Sequence, residues 1–381
     1  MTRREAGFTL IELLITIVVF LIVIAAASNI FTGLLTQFKQ QSKIAETNIE
    51  GIVGLEMLKQ DIEHAGYGLP WNGLIAYNEA VSAPASNYND NSNPPRAILS
   101  GNNIGFNSSD YLVIKAVNIA RNDECKKSTT LRAAPFGALP APGNPRVWTP
   151  DTENVNKKDD GSTNNGVRVI VLSPGSTELN SRTLVTNGAT FFTTYGNITA
   201  APWPPTDTTE TRIVYGVDSD TDLRMPFNRA DYFISNANVP QRCAPNTGVL
   251  EKVVVNQGDG GLTNFLPLLD CAADMQVIYR IDTNNDGTID SNTDNIATLT
   301  DTNGNGVIDA QEIREQIKEV RVYILAHEGQ YDRNYTYPNA SITVGEFGLG
   351  STFNLATTIG ANWQNYRWKL YTIAVKPNNL R

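Results

Sequence analysis

Residues Met1–Ala27 read MTRREAG followed by FTLIELLITIVVFLIVIAAA. The charged leader ends at Gly7. Phe8–Ala27 is then a run of about 20 apolar or small residues, long enough to cross a bilayer core as a helix. One acid, Glu12, sits near its start. A lone carboxylate in a membrane helix is costly and needs a reason. Arg3 and Arg4 predict a cytoplasmic N-terminus and an outward-facing remainder.

The remainder is large. The chain has 381 residues, is 41% hydrophobic and carries a formal charge of −9. Abundant Gly and Pro, with many Asn, Thr and Asp, predict a β-rich body with long loops. The acidic balance and the lack of a basic stripe argue against nucleic acid as a partner. There are three cysteines, Cys125, Cys243 and Cys271, and no CxxC. Outside the cytoplasm this arithmetic predicts one disulfide and one leftover thiol, with the pairing open. Three reduced, buried cysteines is the competing expectation.

Three readings of the first stretch compete. It fits a plain anchor, or a secretory signal cut after Ala25-Ala26-Ala27. Neither calls for Glu12. The string Gly7-Phe8-Thr9-Leu10-Ile11-Glu12-Leu13 instead closely resembles the class III signal of type IV pilins and pseudopilins. That resemblance implies cleavage between Gly7 and Phe8 by a prepilin peptidase, and methylation of the new Phe8 amine. It also implies inner-membrane residence as a single pass with a periplasmic head, then transfer into an extracellular filament. Glu12 would pair with the Phe8 amine, its own or a neighbour's, so that a wrong register leaves a buried charge unpaired.

Heptad-like apolar spacing continues through Ile30, Phe31, Leu34, Leu35, Phe38, Ile44, Ile49, Ile52, Val53, Leu55, Leu58 and Ile62. We therefore expect one helix from about Thr9 to Ala65, with Gly33, Gly51 and Gly54 as points where it bends. Met57–Gly68, ending in Ala-Gly-Tyr-Gly, resembles the helix end of PilW-type minor pilins. Looser similarities lie at Asp231–Ile234, Cys243–Pro245, Glu319–Leu325 and Arg367–Val375. The terminal Lys376-Pro377-Asn378-Asn379 departs from the family pattern.

The division expected is a leader at 1–7, a helix at 8–66 with its membrane part at 8–27, and a β-rich head at 67–381. Strands are expected at Asp110–Ala116, Val167–Leu172, Thr183–Thr186, Arg212–Val217, Asp231–Ser235, Val249–Val255, Met275–Asp282, Ile317–Ala326 and Tyr366–Val375. Leu69–Ser109 and Lys126–Gly166 read as loop, with insertions at Pro140–Asn165 and Thr283–Thr302. The fold class is α+β: a long N-terminal helix on an antiparallel head with large insertions and calcium-binding loops.

Two strings carry chemistry. Asp301 to Glu312 matches the twelve-residue EF-hand loop. Side-chain oxygens come from Asp301, Asn303, Asn305, Asp309 and Glu312, the Val307 carbonyl fills position seven, and Gly306 makes the turn. Asp282, Asn284, Asp286, Thr288 and Asp290 repeat the first nine positions, with Thr293 at the twelfth and Asp294 one later as a substitute ligand. Such hard oxygen sets suit one or two Ca²⁺ ions. Flanked by a strand before and a helix only at Ala310–Gln316, they resemble the loop-borne sites of extracellular modules. Asx-rich turns without metal are the alternative.

The two histidines, His64 and His327, stand outside any GxSxG, HExxH or P-loop pattern, so we expect no enzyme. The resemblance implies a PilW-type minor pilin that initiates assembly at a pilus tip and serves adhesion, twitching or DNA uptake. Its partners would be the major pilin, other minor pilins, the inner-membrane assembly platform and a tip adhesin. The alternatives are a type II secretion tip pseudopilin and a calcium-dependent adhesion module that stays membrane-anchored.

Overall fold

The computed structural model describes residues 7, 9–120, 122–133, 145–175, 181–207 and 209–380. Phe8, most of the leader, and the start of the Pro140–Asn165 insertion lie outside these. A single helix, α1, spans Leu10–Glu63. Thr9 caps it: its backbone and hydroxyl donate to Glu12 Oε2 at 2.9 and 2.8 Å. The backbone N–H of Glu12 returns to the Thr9 hydroxyl, closing a capping box.

The strands are β1 Ile98–Gly101, β2 Tyr111–Ala116, β3 Ser128–Arg132, β4 Arg168–Ser173, β5 Thr183–Leu184, β6 Thr193–Thr194, β7 Thr211–Asp218, β8 Asn228–Ser235, β9 Gly248–Val255, β10 Leu262–Ile281 and β11 Ser291–Thr293. Helix α2 follows at Ala310–Gln316, then β12 Ile317–Glu328, the hairpin β13 Ser341–Val344 and β14 Ser351–Asn354, helix α3 Leu355–Thr358 and β15 Arg367–Val375. The main antiparallel sheet runs β1-β2-β8-β9-β10-β12-β15, with β11 on β10. A second sheet runs β3-β7-β4-β5, with β6 on β4.

Both faces of the main sheet are covered. Leu55, Leu58 and Ile62 of α1 are buried in one core with Met275, Val277, Val322 and Ile324. Full burial of a Leu or Ile contributes about 1.5–3 kcal/mol. On the other face Tyr323, Leu325 and Trp368 pack beneath the β13–β14 hairpin through Val344 and Phe353. Strand β12 therefore alternates between two cores, with Val320, Val322 and Ile324 in one and Tyr323 and Leu325 in the other. The second sheet has its own cluster around Val169, Val171, Val214 and Trp203.

Differences from the sequence expectations have physical causes. β1 and β3 fall in stretches read as loop. Each is only four or five residues and exists by pairing, β1 with β2 and β3 with β7. Strand β10 begins well before Met275 because register shifts around Leu266–Ala272 let it pass Pro267 and Asp270 without ending. Gly51 and Gly54 of α1 also have a packing role. The helix is continuous, and a Cβ at Gly54 would stand 1.9 Å from the Leu268 carbonyl oxygen, one at Gly51 2.8 Å from Leu269 Cδ1. They allow helix and strand to touch. Asp61 anchors the helix to the sheet: it accepts from the Tyr232 hydroxyl at 2.6 Å and pairs with Lys252 at 2.7 Å.

The N-terminal part of α1 makes no use of the head. Leu10, Phe20 and Phe38 are 85%, 65% and 70% exposed. Within Leu10–Glu63 lies a segment long and apolar enough to cross a membrane.

Replacing Gly54 by Ala pushes a methyl group into the backbone of β10. We expect Gly54→Ala to lower unfolding free energy by about 1–3 kcal/mol, measured by chemical denaturation. Gly33→Ala, which meets nothing within 4 Å, is the control.

Candidate functional site

The expected ligand residues occupy two adjoining loops at the end of β10. The Asp301 loop is organised by its own oxygens. Asp301 accepts from Gly304 N at 2.7 Å and Gly306 N at 2.8 Å. Both glycines have left-handed φ, +73° and +83°, which a side chain would resist. Asn303 Oδ1 accepts from Asn305 N at 3.1 Å, and Asn305 Oδ1 from Val307 N at 2.9 Å. The Nδ2 groups of Asn303 and Asn305 both donate to Asp309 Oδ2, at 3.1 and 2.8 Å. Asp309 caps α2, and its backbone N–H donates to Glu312 Oε2 at 3.0 Å. Glu312 is fully buried, its other oxygen taking the Thr302 hydroxyl at 3.1 Å.

Thus positions one, three, five, nine and twelve are held in one turn, with the helix only after it. Burial pushes the Asp309 carboxyl up. The hydrogen bond it shares with Glu312, and those from Gln311, Asn303 and Asn305, outweigh burial and hold it below the usual range.

The Asp282 loop differs in construction. It is the turn that joins β10 to β11, which pair at Tyr279–Ile281 and Ser291–Thr293. Asp282 is fully buried and accepts from Asp286 N at 3.1 Å and Gly287 N at 2.7 Å. Lys318 Nζ lies 3.7 Å from it, so this carboxylate already faces a cation. Asn284 donates to Asp286 at 3.1 Å, and hydrogen bonds from Thr288 hold the Asp286 carboxyl below its usual range. Asp290 folds back to take the Thr283 N–H and hydroxyl. Asp294 takes Gly350 N at 3.5 Å, from the β13–β14 turn, and the Thr293 hydroxyl donates to Asn295 O.

Gln316, which no motif marks, joins the loops. Its carbonyl accepts from Asp282 N at 2.9 Å, and its side chain brackets Thr300 at 3.0 and 2.5 Å. Helix α2 also reaches the α1 junction. Arg314 stacks on Trp71 at 4.3 Å, and Arg182 stacks on the same ring at 4.6 Å.

The disulfide is Cys243–Cys271, with Cα atoms 4.9 Å apart. Closing the separation of 28 residues restricts the unfolded chain by about 3.5 kcal/mol in the chain-entropy model. Cys125 is the free thiol. It is buried, bonded to the Ala120 and Asn122 carbonyls, and burial pushes its pKa up to about 12, which makes it inert. His327 packs against the disulfide, within 4.8 Å of its sulfurs. Its Nε2 accepts from Ala244 N at 2.8 Å, and burial lowers its pKa to about 3. It is a neutral core residue, with Tyr366 and Trp368 around it.

Comparison with known proteins adds the following. The family model of the prokaryotic N-terminal methylation motif matches residues 2–28. Gly7, Phe8 and Glu12 lie inside that match. No curated protein matches the chain. Among solved structures, a type IV-like pilin from Thermus thermophilus is similar at 15% identity, over 40% of this chain and 78% of its own, with a TM-score of 0.20. A likeness that slight does not bear on the fold.

The His327 environment gives a pH dependence. The folded state keeps His327 neutral down to about pH 3, while an unfolded histidine protonates near 6.5. Below 6.5 the unfolded state binds the extra proton, so stability falls as pH drops from 6.5 toward 3. Denaturation midpoints measured across that window should slope for the wild type, and less so for His327→Gln.

Proposed function

With the N-terminal methylation motif at residues 2–28 as premise, we propose that this chain is a PilW-type minor pilin that initiates type IV pilus assembly and sits at the filament tip. The motif and the apolar helix fit membrane anchoring before assembly, and the signal implies processing by a prepilin peptidase and assembly with other pilins. A subunit of this layout is structural and not an enzyme. The observation that carries the tip reading is the load on the helix: one α1 bears a head with two sheets and long insertions. Such a head is hard to repeat in a tight helical array and suits a filament end, where it would serve adhesion, twitching or DNA uptake. A type II secretion tip pseudopilin is the second reading. Against it, the largest tip type of that system typically lacks the acid supplied here by Glu12.

The cation reading supports the same role. The Asp301 loop presents a buried Glu312 and an oxygen-rich turn, and suits a hard divalent ion better than the Asp282 loop, where Lys318 already stands. Asp301, Asn303, Asn305, the Val307 carbonyl, Asp309 and Glu312 would hold Ca²⁺. The ion would supply positive charge to a group of carboxylates and lock the turn to α2. Affinity belongs to the extracellular range, ~10⁻⁴ to 10⁻³ M.

Two experiments test these readings. Mass spectrometry of sheared filaments should find the chain cut after Gly7 with N-methylated Phe8. Glu12→Ala should be processed normally and yet be depleted from filaments; an uncleaved chain confined to the inner membrane would sink the pilus assignment. Separately, millimolar Ca²⁺ should raise the melting temperature by ~2–4 °C over EGTA. Asp301→Ala should remove most of that rise. Superimposable melting curves would dispose of the calcium reading and leave the pilin reading standing.

A further inference from the structure

Lys115 on β2 ends among carboxylates that the irregular segment before β1 brings to it. Its Nζ lies 2.5 Å from Asp90 Oδ2, and 2.9 and 2.7 Å from Glu79 Oε1 and Oε2. Lys115 and Glu79 are 0% exposed at the side chain, and Asp90 4%. The Phe227 ring closes one side, 5.6 Å from Nζ. A primary amine, an acyl acceptor and a second carboxyl able to pass protons are thus sealed from water in one place.

We propose that Lys115 and Asp90 condense into an intramolecular isopeptide bond, with Glu79 as the proton shuttle. The step balances without oxidant or cofactor. The Lys115 ammonium gives a proton to Asp90 Oδ2, leaving a neutral amine and a carboxylic acid. The amine lone pair attacks Asp90 Cγ. A contact this short places the atoms near the ~3–3.5 Å attack distance of a positioned nucleophile. As the C–N bond forms, the carbonyl pair moves onto Oδ1, which Arg96 Nε holds at 2.6 Å and stabilises as it becomes anionic. Glu79 takes a proton from Nζ and delivers it to the Oδ2 hydroxyl. The C–Oδ2 bond breaks, water leaves, the carbonyl reforms, and Glu79 returns to its starting state. One ammonium and one carboxylate become one amide.

The surroundings tolerate the change of charge. Before reaction Lys115, Arg96 and Arg229 face Glu79, Asp90 and Asp231, with Arg229 bonded to Glu79 at 3.0 Å and to Asp231 at 2.7 Å. Afterwards two cations still face two anions. Lys115 and Arg96 hold the Asp90 carboxyl below its usual range despite burial. The product covalently ties the segment leading into β1 to the second strand of the main sheet, across a separation of 25 residues.

The test is peptide mapping of the disulfide-reduced full chain. In aged, folded protein, the peptide with Lys115 should be joined to the peptide with Asp90, the pair lighter by one water molecule. Trypsin should no longer cleave at Lys115. Glu79→Gln and Lys115→Arg should yield the two peptides separate. Because either variant can disturb the buried network, the wild type decides the matter alone. Separate, full-mass peptides from folded wild-type protein overturn the proposal. So does loss of water from the Asp90 peptide without the cross-link.

Discussion

The helix and the head meet where side chains have been removed. At Gly54 the backbone of α1 approaches the Leu268 carbonyl closer than any Cβ would permit, and Gly51 admits Leu269 beside it. Glycine in a helix interior costs about 0.5–1 kcal/mol relative to alanine, so its presence needs a return. The return is a seat. With the gap closed, Leu55, Leu58 and Ile62 reach the sheet, and Asp61 reaches Tyr232 and Lys252. On the strand side, β10 shifts register beneath the helix around Leu266–Ala272, and the disulfide at Cys271 fixes that irregular stretch to Cys243. Helix seat, bulged strand and cross-link form one unit.

The local pattern carried much of this. Period 3.6 brought α1 to within two residues of its end, since packing continues the apolar stripe as far as the helix runs. The strands of the main sheet were legible where both faces are buried and β-branched residues dominate, as in β9, or where two cores alternate, as in β12. The turn at Asp301 and the helix after it were legible because side chains that accept from the backbone of such a turn recur at fixed spacing. Other features rest on partners distant in sequence, which no window reveals. β1 and β3 are strands only because β2 and β7 lie beside them. Gly54 reads as a hinge until Leu268 is placed against it. The cysteine pairing is a matter of which loop returns to β10.

Charge misled most. Glu79 and Asp90 sit in a stretch rich in Asn, Pro and Ser that reads as solvated loop, and Lys115 and Arg229 sit in strands where a charge normally faces water. In the fold they neutralise one another out of contact with solvent. Taking such ions from water is expensive, and attraction offsets the cost only when every partner is present. The network is weak evidence of stability in itself. It does specify one arrangement of the segment before β1, because any other leaves a bare charge inside.

After β15 the backbone comes back to the helix: Asn378 N donates to the Glu63 carbonyl at 2.9 Å, and the Asn379 side chain reaches the carbonyl of His64. The head opens and closes at one point on the shaft. A pull along α1 therefore meets both ends of the head at once and does not stretch it end to end. A loop lengthened anywhere between residues 64 and 378 enlarges the head without parting its two ends, because both are tied to the same turn at the end of α1.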